Sequence, residues 1–391
     1  MTVHPRVAFF TDAFHEPNGV ASLSREFSEF ALRHNRPFAC VYGGPQTQIE
    51  RCGELIKIQL KRGICSFKLD QDLYCDPLLT RYTGQVTQLL REFRADLVHI
   101  TGPGDMGVLG AHIAHRQKIP LVASWHTNLH EYAARRVRNN LAFLPAGLLS
   151  SLSNAAERVS LAALMRFYHI PQATMAPSAD LVKLLEERTH KPCSEMLHGV
   201  DLNRFNSNRR ATGKAQFTIG YVGRLTAEKN VRLLAQIEAA LLSAGLNDFQ
   251  ILMVGEGSER SWLERNLRHA VLPGVLRGDN LANAFASMDV FVFPSETDTF
   301  GLVILEAMAS GVPVVVARGG GPQHQVEEGV SGYVADNANA FADAILRLKG
   351  DPDLRCRMSQ AARNHATDYS WDRVFNNVYE IYASRPELAR T

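Results

Sequence analysis

The feature that most constrains the fold is an alternation of short β-like runs with segments of helical period, which occurs twice along the chain. The first series runs from "RVAFF" through "VASLSREFSEFALRH" and "FACVYGG" to "PLVASWH". The second runs from "FTIGYVG" through "NVRLLAQIEAALLSAG" and "FQILMVGEG" to "VFVFPS" and "VPVVVA". Such alternation predicts βαβ crossovers and parallel sheets with helices on both faces. The sequence therefore predicts an α/β fold of two Rossmann-like, doubly wound domains that face each other across a cleft.

A polar segment separates the two series and predicts the domain boundary. The stretch "MLHGVDLNRFNSNRRATGKAQ" clusters Asn, Arg and Gly without a periodic apolar face, which is typical of a linker. A chain of 391 residues with 46% hydrophobic content is long enough to bury two cores. We expect an N-terminal domain over residues 1–204, a C-terminal domain over residues 205–370, and a final helical segment, residues 371–391, that packs back toward the first domain.

Charge and cysteine usage exclude several classes of protein. The formal net charge is only +2, which gives no basic footprint for nucleic-acid binding. The six cysteines contain no C-x-x-C, so we expect reduced thiols and no metal site built on them. The start "MTVHPRVAFFTDAF" lacks the pattern of a signal peptide, and no apolar run is long enough to span a membrane. These features predict a cytoplasmic protein.

In the second half, the loops that follow strands carry charged and glycine residues. "RLTAEKN" places Arg224 and Lys229 between a strand end and a helix start, where two cations beside free N–H groups suit a diphosphate. The alternative is a pair of solvated surface cations. "MVGEGSER" places Gly255 and Glu256 after the next strand, where a glycine turn would allow close backbone approach to a base or phosphate. It is too short for a dinucleotide fingerprint.

The segment "SETDTFGLVILEAMASG" puts a carboxylate inside an apolar helix. Gly301 is expected to open the helix, and Glu306 lies one and a half turns further in, among apolar neighbours. A ligand whose phosphates sit on the helix N-terminus could therefore place vicinal hydroxyls on Glu306, and Asp298 could hold hydroxyls of a further group. The alternatives are that Asp298 is an N-terminal cap and that Glu306 lies on a solvated face. The first-turn N–H groups expected to favour an anion belong to Phe300, Gly301, Leu302 and Val303.

Together these motifs resemble those of glycosyltransferase family 4, retaining enzymes of the GT-B fold. The resemblance covers essentially the whole chain: "FTDAFHEPNGVA", "VASWHTN", "HGVDLNRF", "YVGRLTAEKN", "FVFPS" and "DTFGLVILEAMASGVPVV". It implies that the protein moves a hexose from a UDP- or GDP-sugar to a lipid, glycan or small-molecule acceptor. A nucleotide-sugar epimerase of the same two-domain fold is the alternative.

The resemblance also implies roles for individual residues. Gly19 would approach the donor phosphate, and His126 in "WHTN" would donate a hydrogen bond near the reacting sugar. Arg224 and Lys229 would hold the diphosphate, and Glu306 would accept the ribose hydroxyls. The family usually has Glu at the position of Asp298, so this chain departs from the family pattern by one methylene at that position.

No second carboxylate is placed as a nucleophile, so we expect the leaving diphosphate to accept the proton of the acceptor, with its charge stabilised by the cations and the helix N-terminus. No cofactor or metal ion is expected. The acidic "DQD" of Asp70 to Asp72 is interpreted as a solvated loop because no convincing apolar strand precedes it.

The acceptor side is less defined by the sequence. The longest helical region, residues 129–168, brings arginines close to leucines and a phenylalanine, which could rest on an anionic membrane and meet a lipid acceptor. The alternative is that the leucines belong to the core and the arginines to a solvated face. The arginines are Arg135, Arg136 and Arg138, and the apolar residues are Leu141, Phe143, Leu144, Leu148 and Leu149.

Overall fold

The chain forms two compact units. One comprises Met1–Leu197 with Val374–Thr391, and the other comprises His198–Arg373; they are called the first and second unit below. The computed structural model describes residues 4–16, 18–63, 66–70, 73–76, 78–128, 136–137, 141, 145–210, 216–385 and 388.

The first unit is built on an eight-stranded sheet whose strand order is β10-β9-β8-β7-β1-β2-β4-β3. All pairings are parallel except that of β3 with β4, which is antiparallel. The parallel order runs outward in both directions from β1, as in a doubly wound fold. The strands are β1 Val7–Thr11, β2 Phe38–Gly44, β3 Gln48–Cys52, β4 Leu55–Lys61, β7 Leu97–Ile100, β8 Leu121–Ser124, β9 Ala173–Ala176 and β10 Cys193–Glu195, with the separate ribbon β5 Phe67–Asp70 and β6 Leu73–Cys75.

The second unit has a six-stranded parallel sheet in the order β13-β12-β11-β14-β15-β16. Counted along this unit the order is 3-2-1-4-5-6, which places the topological switch point between β11 and β14. The expectation of two doubly wound α/β domains is confirmed. The strands are β11 Phe217–Val222, β12 Phe249–Val254, β13 Ala270–Gly274, β14 Val290–Phe293, β15 Val314–Ala317 and β16 Gly332–Ala335.

The central strands are buried along their whole length because helices cover both faces of each sheet. Every residue of β1, β7, β14 and β15 is buried, as expected for parallel strands read as continuous apolar runs. Five helices that precede β11 belong to the first unit: α1 Gly19–Arg33, α2 Thr83–Phe93, α3 Asp105–Gln117, α4 Ala146–Tyr168 and α5 Ala179–Thr189. The others are α6 Leu233–Ser243, α7 Arg260–Asn266, α8 Gly278–Ala286, α9 Leu302–Ala309, α10 Ala338–Gly350, α11 Pro352–Thr367 and α12 Trp371–Ser384.

The last helix, α12, belongs to the first unit from Val374 onward. Phe375 on this helix stacks on Phe27 of α1 with ring centroids 4.3 Å apart. Tyr379, one turn later, meets the same ring edge-on at 6.0 Å. The C-terminal segment therefore completes the aromatic core of the first unit rather than that of the second.

Two parts of the sequence reading are corrected. The alternating series passed over β3 and β4: β3 is exposed at every residue and carries no apolar period, whereas β4 is mostly buried. Asp70, read as part of a loop, ends a strand of the ribbon; Asp72 lies outside the described residues. Within the described part of the chain, no helix combines the length and apolar character needed to cross a membrane.

Candidate active site

The loops after β11 and β14 meet at the switch point of the second sheet. Because β11 and β14 are parallel neighbours, both loops leave the same edge, where open α/β sheets bind ligands. Asn230 Nδ2 donates to the carbonyl of Pro294 over 3.3 Å, and Thr297 Oγ1 donates to the carbonyl of Glu228 over 3.3 Å. These bonds fix the loop that carries Arg224 and Lys229 against the loop that carries Asp298.

Lys229 and Asp298 form an ion pair between these two loops. Lys229 Nζ lies 2.5 Å from Asp298 Oδ1, and the two side chains are only 12% and 19% exposed. Asp298 Oδ2 is buried and has no hydrogen-bond partner among the described residues. Arg224 Nη2 lies 3.7 Å from Glu228 Oε1, and the Arg224 side chain is 29% exposed. The structure thus brings together three of the four residues predicted to be catalytic.

Helix α9 begins in this loop with its N-terminus open. Gly301 is the N-cap, with φ +84° in the left-handed region that glycine adopts readily, and no side chain caps the helix. The interpretation of Asp298 as an N-terminal cap is therefore wrong. Among the described residues, no acceptor is found for the backbone N–H groups that sequence analysis singled out. These belong to Phe300, Gly301, Leu302 and Val303.

Glu306 lies within α9 and has no polar partner among the described residues. Its neighbours Leu305 and Ala307 are fully buried, while Glu306 keeps a partly exposed surface. No hydrogen bond or ion pair to its carboxylate is found among the described residues. Burial raises the pKa of Glu306 to about 7, and the more distant charge of Arg204 only partly offsets this effect. The alternative that Glu306 lies on a solvated face of the helix is therefore wrong.

The turn after β12 packs tightly on the loop after β11. A Cβ on Gly255 would lie 1.9 Å from the carbonyl oxygen of Gly223, and φ of Gly255 is +146°, so only glycine fits. The Leu225 amide donates to the Glu256 carbonyl over 2.9 Å. The Glu256 carboxylate pairs with Arg260 at 2.6 Å. Gly255 therefore lets the two loops approach, and the Glu256 side chain is engaged within its own turn.

Sequence analysis missed a glycine triplet that supports the Asp298 loop. Gly319, Gly320 and Gly321 follow β15, and a Cβ on Gly321 would lie 1.9 Å from the carbonyl oxygen of Thr299. The Gly321 amide also donates to the Asp298 carbonyl over 2.8 Å. The signal was visible as "GGG" directly after an apolar strand, at the same sheet edge as the other loops.

In the first unit, Gly19 is the first residue of α1, close behind β1. Asn18 caps this helix by accepting a hydrogen bond from the amide of Ala21 over 2.9 Å. Gly19, which the family resemblance assigns to the donor phosphate, thus lies at a helix N-terminus after the first strand.

His126 lies just after β8 in the first unit and is 7% exposed. Its Nε2 atom is 2.7 Å from Ser124 Oγ. The neighbouring Trp125 stacks on Tyr168 at 5.0 Å, and the Tyr168 hydroxyl donates to the carbonyl of Ser124 over 3.2 Å. These contacts fix the loop that presents His126. No local sequence signal pointed to Ser124 or Tyr168 as partners of this histidine.

Comparison with known proteins identifies the family. Residues 66–204 match the family described as Glycosyltransferase Family 4, and residues 216–351 match Glycosyl transferases group 1. A GDP-mannose-dependent alpha-mannosyltransferase of Corynebacterium glutamicum is 30% identical over 312 residues, covering 76% of this chain and 70% of the relative. The enzyme of that name from Mycolicibacterium smegmatis is 32% identical over 314 residues, covering 77% of each chain.

Solved structures agree at the level of fold. Sucrose-phosphate synthase from Thermosynechococcus elongatus superposes with a TM-score of 0.74 at 17% identity, covering 96% of this chain and 98% of the other. Anabaena Alr3699/HepE, solved with UDP and glucose, gives a TM-score of 0.70 at 17% identity, covering 98% of this chain and all of the other (100%). The chain has the GT-B fold, belongs to glycosyltransferase family 4, and is a hexosyltransferase, the enzyme class that its motifs predicted.

Proposed function

We propose that the protein transfers a hexose, with retention of configuration, from a UDP- or GDP-linked sugar to a lipid, glycan or small-molecule acceptor. The observation that carries this proposal is the convergence of Lys229, Arg224 and the open N-terminus of α9 at the switch point of the second unit. Two cations and a row of N–H donors match a diphosphate better than they match a ligand that carries a single negative charge. The mannosyltransferase relatives are named for GDP-mannose, which makes this sugar the first donor to test.

In this proposal the second unit supplies the groups that stabilise the leaving group. The bond between the sugar C1 and the diphosphate oxygen breaks, and a bond from C1 to the acceptor oxygen forms on the same face. The acceptor proton passes to a phosphate oxygen. Lys229, Arg224 and the N–H groups of α9 stabilise the charge that grows on the diphosphate. We assign Glu306 to the ribose hydroxyls, and Asp298 Oδ2 to a hydroxyl of the sugar, because it is buried without a partner.

Residues of the first unit act on the sugar in the same proposal. His126 donates a hydrogen bond near the reacting carbon, and Gly19 at the start of α1 lets a phosphate approach the backbone. The cationic groups meet the charge of the leaving diphosphate, so we propose a reaction that needs no metal ion.

The proposed donor site is tested by binding before any acceptor is known. Thermal unfolding in the presence of UDP, GDP, ADP and their sugar conjugates should give a shift with one nucleotide family, since a ligand at about 100 times its Kd stabilises by about 2.7 kcal/mol. Lys229→Met serves as the matched variant and should lose most of the shift. Equal shifts in both proteins would contradict the site.

Transfer and retention are tested with the donor that binds. Release of free nucleoside diphosphate that depends on an added acceptor supports a transferase, whereas conversion of the sugar without nucleotide release would support the epimerase alternative. The anomeric proton signal of the product in NMR spectra reports its configuration. An inverted product would refute the retaining mechanism.

A lipid acceptor is favoured by the exposed face of α4. Leu148, Leu152 and Val159 share this face and are 51%, 39% and 70% exposed. Arg158 and Arg166 on the same helix are also exposed. We propose that this face contacts an anionic membrane. Co-sedimentation with phosphatidylglycerol vesicles but not with phosphatidylcholine vesicles is expected, and Leu148→Glu should abolish it. Of the residues predicted for this surface, Arg135, Arg138, Phe143 and Leu144 lie outside the described residues.

A further inference from the structure

The carbonyl group of Phe300, just before α9, is bound by a glutamine from the segment that follows β15. Gln325 ends a single 3₁₀ turn, Pro322–Gln325. Its Nε2 atom donates a hydrogen bond to the Phe300 carbonyl oxygen, and Gln325 is only 3% exposed. This bond has one possible direction, because a carbonyl oxygen only accepts. Sequence analysis gave Gln325 no role.

The same segment binds a second carbonyl of this loop. The Gly321 amide donates to the Asp298 carbonyl over 2.8 Å. A Cβ on Gly320 would lie only 2.7 Å from the carbonyl oxygen of Glu296, so the two backbones are in close contact here. The carbonyls of Asp298 and Phe300 therefore both face the segment that follows β15.

The bond from Gln325 fixes the peptide unit between Phe300 and Gly301. In a trans peptide the C=O of one residue and the N–H of the next point in opposite directions. Since the Phe300 carbonyl points to Gln325, the Gly301 N–H points away from it. Gly301 is partly exposed, and its N–H meets no acceptor in the part of the chain that the structure describes. This N–H is therefore available to a ligand at the start of α9.

Glycine at position 301 would also permit the reversed peptide. A half-turn of this peptide unit moves φ of Gly301 from +84° to a negative value, and glycine adopts both signs readily. The Phe300 carbonyl oxygen would then face outward in place of the Gly301 N–H, and its partial negative charge would repel a phosphate. The orientation of this one peptide thus decides whether it attracts or repels an anion.

The donors and acceptors of Gln325 favour the observed orientation. In the structure one of its two amide hydrogens is paired, and Oε1 is buried without a partner among the described residues. In the reversed orientation Oε1 would accept from Gly301, and both amide hydrogens would be unpaired. Buried N–H groups without an acceptor are rarer in proteins than carbonyls without a donor. A bound anion adds to this preference, because it pairs only with the N–H.

We propose that Gln325 is a positioning residue that holds the Phe300–Gly301 peptide with its N–H directed to the leaving diphosphate. The proposal rests on the proposed function for the identity of the anion. Gln325 acts through a backbone hydrogen bond and touches neither the donor sugar nor the acceptor. It follows that the affinity for a diphosphate depends on whether residue 325 offers a hydrogen-bond donor to the Phe300 carbonyl.

Gln325→Glu makes this donor dependent on pH. The protonated carboxyl keeps an O–H for the Phe300 carbonyl, whereas the ionised carboxylate only accepts and would pair with the Gly301 N–H of the reversed peptide. Gln323→Glu is the matched control for charge. Gln323 lies in the same turn, and its Nε2 atom donates to the carbonyl of Gly320 over 3.2 Å, so it does not hold the Phe300 peptide.

Crystal structures of the wild-type protein and both variants at pH 5 and pH 8 report the orientation of the peptide directly. We expect the Phe300 carbonyl to turn outward only in Gln325→Glu at pH 8. In the same proteins, calorimetry measures Kd for the nucleoside diphosphate that binds, and NMR titration measures Kd for its parent nucleoside. The titratable groups of this loop and its surroundings are common to all three proteins and cancel in the comparison; they are Glu296, Asp298, Glu306, His198 and His324.

The expected loss is specific to the phosphates. At pH 8, Gln325→Glu should bind the diphosphate about tenfold or more weakly than wild type, which is the lower end of what a hydrogen bond to a charged group contributes. At pH 5 the difference should shrink. Kd for the nucleoside should stay at the wild-type value in every protein, because the nucleoside has no phosphate. An equal loss for diphosphate and nucleoside would indicate a structural effect and refute the proposal.

The other outcomes also decide the proposal. Weaker diphosphate binding with the peptide in its original orientation would be charge repulsion and would refute it. If Gln325→Glu does not fold, Gln325→Met tests the same bond without a charge. The methionine pairs with neither orientation, so both should be populated and the diphosphate affinity should fall about twofold at either pH; an unchanged peptide and an unchanged Kd would refute the proposal. If the peptide turns as expected but no nucleotide binds to the wild-type protein, the role of Gln325 stands and only the proposed function fails.

Discussion

Replacing Glu306 by glutamine should make the protein more stable at alkaline pH while weakening its binding of the donor. Glu306 is surrounded by the apolar residues of α9 and has no polar partner among the described residues. Its ionised form is therefore disfavoured in the folded protein. Glutamine keeps the shape of the protonated side chain and cannot ionise, so it removes this pH-dependent penalty.

The size of the effect follows from the pKa. Burial raises the pKa of Glu306 from 4.5 to about 7, and each unit corresponds to about 1.4 kcal/mol. The folded state binds the proton more tightly than the unfolded state, so this group lowers stability as pH rises from about 4.5 to about 7 and has no further effect above. The full shift corresponds to about 3 kcal/mol, and solvent at the exposed part of the side chain reduces it to about 1–3 kcal/mol.

The assay is urea unfolding of the wild-type protein and Glu306→Gln at pH 5 and pH 8. Other groups titrate in this range, among them Asp12, whose pKa burial raises to about 6. They are present in both proteins and cancel in the difference. We expect the stability advantage of Glu306→Gln to grow by about 1–3 kcal/mol between pH 5 and pH 8. An advantage that stays constant or shrinks would show that Glu306 is not held in an apolar environment.

Three further predictions concern the proposed donor site. Lys229→Met should lower kcat by about 10²- to 10³-fold, because it removes a cation that stabilises the leaving diphosphate. The double variant Lys229→Met with Asp298→Asn should recover stability but not kcat. Recovery of kcat in the double variant would exclude Lys229 from the chemistry. Gly255→Ala places a Cβ 1.9 Å from the Gly223 carbonyl oxygen and should abolish nucleotide binding, whereas Gly350→Ala, with open space around it, should not; calorimetry with the nucleotide compares them. Transfer measured in EDTA should equal that without it, and a tenfold loss restored by Mn²⁺ would contradict metal independence.

The sequence predicted the fold because its apolar runs are continuous. Strands such as β14 and β15 are buried on both faces and consist almost entirely of Val and Phe, so they stand out without structural information. Strand β3, which lies at the edge of its sheet with all residues exposed, has no such pattern and was not found. Edge strands depend on pairing with a neighbour, which a linear pattern does not report.

The candidate site likewise contains residues that the sequence could predict and contacts that it could not. Arg224, Lys229 and Asp298 could be found because each follows a strand in a motif, and parallel strands bring their ends to one edge. The hydrogen-bonded connection from His126 through Ser124 and His99 to Tyr382 could not be found from the sequence. His126 and Tyr382 are 256 positions apart, and they are connected only because α12 packs on the first unit. Polar networks that cross a core leave no periodic trace, since each member is a single residue in an apolar segment.

The two carboxylates assigned to donor hydroxyls differ in their surroundings: Asp298 is paired with Lys229, whereas burial raises the pKa of Glu306 to about 7. Hydrogen bonds donated by the ribose hydroxyls would stabilise the ionised form of Glu306 and lower its pKa. Binding of the donor near pH 6 should therefore release a proton. Calorimetry in buffers of different ionisation enthalpy measures this release, and the sugar conjugate is the suitable ligand because its diphosphate has no free terminal phosphate to titrate. Affinity should rise between pH 6 and pH 8 in the wild-type protein and stay flat in Glu306→Gln. The same pH dependence in both proteins would place the ribose away from Glu306.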